Sequence, residues 1–265
     1  MPPLALVGNL SCDRIDGGAP RLGGAPFHAA RAWRALHVRV TTIARCAAED
    51  ERRFRRGFAR LGLPVYFVAG RETTAFAFTY SGDRRIMSVE RFGDVWSPDE
   101  VVDLPHGAWV HVAPLLRGDF PARTLVAIAR GRRVSLDAQG LTRVRARGPL
   151  QLEPEPELEP LLQHVSILKL AEEEATALAG GLDTAALAAL GPPEVVVTFG
   201  SRGSLVVAGG KATEVTARHV DANPTGSGDM FAAAYLASRA SGHAPAAAAR
   251  RATALVGDLL RGRAG

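Results

Sequence analysis

The chain is 265 residues long, 47% hydrophobic and 22% charged, with two cysteines; it can bury a substantial core and is neither a disordered segment nor a disulfide-stapled or four-thiolate scaffold. Its 32 basic and 27 acidic residues leave a formal charge of +5, but the only lysines are Lys169 and Lys211, the arginines are spread along the chain, and no block of five like charges occurs. That pattern argues against a nucleic-acid partner. No stretch approaches the ~18 apolar residues of a membrane span, and the opening Met-Pro-Pro-Leu lacks the basic region of a secretory signal, so a cytoplasmic protein with no membrane partner is expected.

Short apolar runs bounded by turn residues read as buried strands, and segments of 3.6-residue spacing read as helices. In chain order the pattern predicts a strand at 4–8, a helix at 28–36, a strand at 38–43 and a helix at 49–61. In that second helix Arg52, Arg53, Arg55, Arg56 and Arg60 form the solvated face opposite Phe54 and Phe58. A strand at 65–68 precedes a β-hairpin at 76–90 that turns at Ser81-Gly82-Asp83. Strands at 108–112 and 134–136 flank a helix at 122–129, and the acidic, proline-spaced run 153–160 reads as an extended solvated connector. The remainder is a strand at 165–168, a helix at 172–178, a strand at 195–199, a hairpin at 204–217 and helices at 228–240 and 244–260. Cys12 and Cys46 lie in apolar segments and read as small buried hydrophobes. Alternating strands and helices imply an α/β fold with a mostly parallel sheet covered on both faces.

The strongest chemical signal is Val220-Asp-Ala-Asn-Pro-Thr-Gly-Ser-Gly-Asp-Met-Phe-Ala-Ala-Ala234. A loop carrying Gly226, Ser227 and Gly228 runs into an alanine-rich helix, so unpaired amides and the positive end of the helix dipole meet at one point, which suits an anion. Asp229, in the first turn, sets a carboxylate beside it. A general base next to an anion hole is what phosphoryl transfer to a hydroxyl requires. Taken alone, Gly-Ser-Gly-Asp is equally consistent with a turn and a helix-capping acid.

The longer pattern resembles the second signature of the ribokinase-like (PfkB) carbohydrate kinase family, with Asp221, Thr225, Gly226, Ser227, Gly228 and Asp229 at matching positions and one extra residue between Asp221 and Thr225. Gly8-Asn-Leu-Ser-Cys-Asp13 and Leu22-Gly-Gly-Ala-Pro-Phe-His28 are similar to the family's first motif, and Val195-Val-Val-Thr-Phe-Gly-Ser-Arg-Gly-Ser204 to its nucleotide-side turn. The resemblance implies a single ribokinase-like kinase domain over residues 1–265, a three-layer α/β/α sandwich with a mostly parallel central sheet and a small β lid built from segments at about 13–22 and 75–91. It implies Asp229 as catalytic base and Gly226, Ser227 and Gly228 as the anion hole. Substrate contacts fall to Asn9, Asp13, Gly23, Gly24, His28 and Gln139, and nucleotide contacts to Thr198, Gly200, Gly203 and Thr225. The resemblance also implies Glu174 as the acid that helps organise Mg²⁺ through water.

The implied reaction is ATP-dependent, Mg²⁺-assisted phosphorylation of a hydroxyl on a small sugar or polyol. A nucleoside kinase of the same fold and a non-catalytic ligand-binding relative are the competing readings. Lids of this kind sometimes pair between subunits, which allows a homodimer. Three departures bear on these expectations: Ala171 stands where the family has an Asn, His28 where many sugar kinases have Asn, and Thr253 where an Asn often lies near adenine. There is no Gly-x-x-x-x-Gly-Lys-Ser/Thr, no Gly-x-Ser-x-Gly and no His-Glu-x-x-His, which removes P-loop, serine-hydrolase and zincin chemistry.

Overall fold

The computed structural model describes residues 1–81 and 84–262. The chain opens with β1 (Leu4–Asn9), β2 (Ser11–Ile15), β3 (Arg21–Gly23) and helix α1 (Ala25–Ala35), then β4 (Val40–Ala47), α2 (Ala48–Leu61) and β5 (Tyr66–Gly70). β6 (Thr74–Ser81) and β7 (Arg84–Arg91) follow, then β8 (Trp109–Ala113), α3 (Ala122–Ala129), β9 (Arg133–Asp137), the single turn α4 (Gln139–Thr142), β10 (Gly148–Pro149) and α5 (Leu158–Leu162). The last third runs β11 (Val165–Ala171), α6 (Glu172–Ala179), α7 (Thr184–Ala188), β12 (Glu194–Thr198), β13 (Gly203–Ala208), β14 (Lys211–Thr216), α8 (Ser227–Ala240) and α9 (Pro245–Leu260).

Among the described residues, nine strands form one sheet in the order β14-β13-β12-β11-β9-β8-β1-β4-β5. It is parallel from β12 through β5, and β13 and β14 add an antiparallel hairpin at one edge. Side-chain alternation in β1 shows why this sheet needs cover on both faces: Leu4 and Leu6 enter the cluster under α1, α8 and α9, whereas Ala5 and Val7 enter the opposite cluster with residues of α3, α5, α6 and α7. The result is an α/β/α sandwich.

A second sheet, β10-β7-β6-β2-β3, is built from the segments around residues 11–23 and 74–91 plus the two residues of β10. The turn expected at Ser81-Gly82-Asp83 lies, at Gly82 and Asp83, outside the described residues. β10 escapes a sequence reading because two residues carry no periodicity.

Two other expectations change. The acidic connector does not stay extended: it ends in α5, whose Leu161 and Leu162 are buried in the core beside α3. Helix α1 begins at Ala25, earlier than expected, because Pro26 occupies the first turn, where a missing N–H costs nothing. In α2 the expected amphipathic face is present: Phe54 and Phe58 are buried with Cys12 and Cys46, and each phenyl ring contributes about 1.5–3 kcal/mol. Burial pushes the two thiols up to about 11 and about 12. Among the described residues no helix is long and apolar enough to cross a membrane.

The strand order places the site. From β1 the chain builds outward through β4 and β5, then returns to build the other way through β8, β9, β11 and β12. Ligands in open α/β sheets bind beyond the carboxyl ends of strands at such a reversal.

Candidate active site

A cleft of about 640 Å³ opens beyond the carboxyl ends of the strands, between the two sheets and the start of α8. One end is walled by Ser11, Asp13, Phe76, Phe78, Met87 and Leu115, with Gly24 and His28 from the start of α1. The other end is walled by Thr198 through Ser201, Gly203, Arg218, Val220 and Ala222, with Thr253, Val256, Gly257 and Leu260 of α9. Gln139, Arg143, Lys169, Glu174 and the residues from Thr225 to Asp229 lie between.

The start of α8 is the centre of this arrangement. Gly226 adopts the left-handed backbone (φ 77°) that lets the chain turn into the helix. The hydroxyl and the amide of Thr225 both donate to Asn223 Oδ1, at 2.7 and 2.9 Å, closing the preceding turn. The Ser227 amide donates to the Pro224 carbonyl. Of the amides expected in the anion hole, that of Ser227 is thus engaged in closing the turn. Among the described residues, the amides of Gly228 and Asp229, in the unpaired first turn, remain for an anion, with the Ser227 side chain on the cleft wall.

The Asp229 carboxyl is pushed up to about 7, first by burial and then by the nearby Asp137 carboxylate and Asp13; the Lys169 and Arg143 cations oppose the rise. A carboxyl near neutrality is matched to general-base work at physiological pH. The His28 ring packs on Gly226. Burial, reinforced by Arg31, pushes this imidazole down to about 4, so at neutral pH it is uncharged.

At the end under the smaller sheet Asp13 is buried on β2. Gly23, opposite Ser11 on β3, lies behind the wall rather than on it; a β-carbon there would stand 2.6 Å from Ser11 Oγ and overlap the Asp13 carboxylate. Asn9 is corrected. It is 1% exposed, its Oδ1 accepts a 2.8 Å bond from Trp96 Nε1, and it does not line the cleft. Strand alternation puts Asn9 on the same face as Ala5 and Val7, where Arg45 stacks over the Trp96 ring at 4.3 Å. Asn9 therefore braces the end of β1.

At the end beside α9 the Thr198 hydroxyl donates to the Leu170 carbonyl at 3.1 Å, tying β12 to β11. Gly200 opens the following turn, and Gly203 closes it at φ 114°, where a β-carbon would collide with the Val215 carbonyl. The Gln139 amide donates to Asp137 Oδ1 at 3.1 Å, and the Gln139 side chain reaches the wall.

Sequence reasoning missed two cations in the floor. Lys169 Nζ donates to Asp137 Oδ2 at 3.1 Å, and Arg143 lies 3.7 Å from Glu174 Oε1. Burial alone would raise Asp137, but Lys169 holds it below its ordinary value. Lys169 is held above its own by Asp137, Glu174 and Asp229, which outweigh its burial.

The implied Mg²⁺ and ATP make different demands on these residues. Among the described residues no group of three or more His, Cys, Asp and Glu side chains could hold a metal ion. Glu174 is 1% exposed, its Oε2 accepts the Ala171 amide at 2.7 Å, and Ala171 brings no oxygen to the site. These residues suit an ion that arrives on phosphates and keeps its water, not one caged by protein. For a nucleotide, Val220, Ala222, Val256 and Leu260 offer an apolar shelf beside Thr253, whose shielded Oγ1 has no hydrogen-bond partner among the described residues.

The profile of the pfkB family carbohydrate kinase matches residues 17–257. The chain belongs to that family. As a pfkB kinase it is a phosphotransferase with a hydroxyl acceptor, and its architecture is ribokinase-like. A pyrophosphate-dependent kinase in the ribokinase family, solved with a pyrophosphate analog and myo-inositol, is 25% identical, with TM-score 0.87 over 97% of this chain and 95% of its own. Ribokinase of Arabidopsis thaliana, solved with ribose and ATP, is 20% identical, with TM-score 0.72 over 98% and 93%. A Burkholderia thailandensis nucleoside kinase in complex with inosine is 16% identical, with TM-score 0.73 over 97% and 90%. The last two likenesses concern the fold alone.

Proposed function

We propose that this pfkB kinase transfers the terminal phosphoryl group of a phosphoanhydride donor to a hydroxyl of a small sugar or cyclitol, and that residues 1–265 act as one kinase domain. The observation that carries this reading is the Asp229 carboxyl, pushed up to about 7 in the first turn of α8, beside two amides unpaired among the described residues and in a cleft that runs from the smaller sheet to α9.

Asp13, with Gln139 and the neutral His28 beside it, orients the acceptor. Asp229 accepts the hydroxyl proton, and the amides of Gly228 and Asp229 stabilise charge on the transferring group. The smaller sheet acts as a lid: Phe76, Phe78 and Met87 put apolar surface over the acceptor, exclude water and so suppress hydrolysis of the donor. Glu174 is the residue that would meet the water shell of a donor-borne Mg²⁺, which when bound would supply charge neutralisation. Homodimerisation through the lid and a cytoplasmic site of action belong to the same reading.

Two donors are supported by different observations. ATP is favoured by the apolar shelf and by Thr253 Oγ1, unpartnered among the described residues. Inorganic pyrophosphate is favoured by the 25% identical neighbour and by the cations Lys169, Arg143 and Arg218 along the cleft. The experiment is a transfer assay crossing ATP and pyrophosphate with a panel of sugars, inositols and nucleosides, with Asp229→Asn as control. Product on a sugar or cyclitol that vanishes in the variant is the expected result. Product on nucleosides alone would replace the acceptor assignment, and acceptor binding without product from either donor would make the protein a non-catalytic relative.

A further inference from the structure

Lys169 has so far been placed only as one of the cations along the cleft, with no step of the transfer assigned to it, yet its position is costly for a structural residue. It sits on β11 between Leu168 and Leu170, both fully buried, and is itself 5% exposed. Burying an ion pair seldom returns its desolvation cost, and an apolar side chain would fill such a strand position more cheaply. The pair is nonetheless built with care: Asp137 and Lys169 are opposite partners in the β9–β11 register, and their side chains meet at 3.1 Å. An ammonium carries three N–H donors, and Asp137 takes one. The ammonium also reaches the start of α8, where a β-carbon on Gly228 would stand 3.3 Å from Nζ. Glycine at 228 thus leaves open the space between the Lys169 ammonium and the first-turn amides.

We infer that Lys169 is a catalytic residue for phosphoryl transfer: held by Asp137, its ammonium binds the non-bridging oxygens of the transferring group beside the amides of Gly228 and Asp229. This rests on the reading of the cleft as a kinase site. In the step itself the acceptor oxygen forms a bond to phosphorus and its proton passes to Asp229. The bond from phosphorus to the bridging oxygen of the donor breaks, and the electron pair leaves with the departing phosphate or nucleoside diphosphate. Lys169 keeps its proton throughout and answers the charge gathered on the oxygens in flight. Asp137 is a positioning residue that fixes where the ammonium stands.

The test compares wild type with Lys169→Met and with the double variant Asp137→Asn/Lys169→Met, which removes both charges and leaves no buried carboxylate without its partner. Loss of one preorganised cationic donor predicts a fall of about 100-fold or more in kcat/KM for the donor, with the acceptor KM little changed. Binding of methylenediphosphonate, followed by calorimetry, should weaken in both variants. In Lys169→Ala, added methylammonium should restore part of the turnover, whereas tetramethylammonium, which has no N–H to donate, should not. A folded double variant with a donor kcat/KM within threefold of wild type and unchanged methylenediphosphonate binding would overturn the assignment. If wild type transfers no phosphoryl group to any acceptor, the kinase reading itself fails, and the methylenediphosphonate comparison alone then decides whether Lys169 is an anion contact.

Discussion

The imidazole of His28 lies against Gly226 so closely that a β-carbon at 226 would stand 2.8 Å from the histidine Cβ and overlap its ring. Gly226 is also left-handed, at φ 77°. Alanine there meets two separable penalties, the backbone strain of about 1–2 kcal/mol and the overlap with His28. Gly226→Ala is expected to lower the urea midpoint and to misplace the first turn of α8, with a large loss of turnover. His28→Ala/Gly226→Ala should recover the overlap part of the stability but not the strain. A double variant no more stable than Gly226→Ala would show that the ring is not the obstacle.

The base sets the pH dependence. With the Asp229 carboxyl at about 7, the free enzyme carries an active carboxylate above that pH and a protonated, inert one below it. The kcat/KM for the acceptor is expected to fall about tenfold per unit as pH drops below roughly 7. A profile flat down to pH 5 would remove Asp229 from the role.

Asp229→Asn separates function from stability. Turnover should fall by roughly 10²–10⁴ if a general base is lost. Stability should move the other way. A folded-state value raised from 3.8 to about 7 means that this group favours the folded state most below about pH 4 and loses that contribution as pH rises to about 7. Asparagine escapes the loss, so the variant should gain stability relative to wild type between pH 4 and 7 and hold the gain above it. Thermal melts across that range provide the check.

Glu174→Gln probes the ion. The amide oxygen can still accept the Ala171 N–H, so the start of α6 should survive, while the charge facing Arg143 and any hydrated Mg²⁺ is gone. The Mg²⁺ concentration for half-maximal rate should rise several-fold with the acceptor KM unchanged. An unaltered Mg²⁺ titration would free Glu174 of that duty.

Much of this fold was legible because strands such as Leu4–Asn9 are buried on both faces and so read as unbroken apolar runs. The start of α8 was legible because its glycines and Asp229 are contiguous. What escaped was set by partners far away in the chain. Lys169 reads as one charge in an apolar strand, and its partner Asp137 lies 32 residues earlier; in a chain with only two lysines, one of them inside a core strand was the available signal. The motif position of Asn9 says nothing about the face it occupies, whereas its alternation with Ala5 and Val7 does. Helix α5 was hidden by the prolines and acids around it, while Leu158, Leu161 and Leu162 already carried helical spacing.

The Trp33 indole N–H donates to the Ala233 carbonyl at 3.3 Å, a bond that spans 200 residues and pins α1 against α8. Helix α8 carries Asp229, while α1 carries the ring that backs it. During synthesis the first 220 or so residues leave the ribosome with that apolar side of α1 uncovered, and the two halves of the site meet only when α8 emerges. Such distant closure makes folding slow and leaves late intermediates prone to aggregation. A premature stop ahead of α8 would therefore release a sticky, half-covered sheet rather than a weakened kinase.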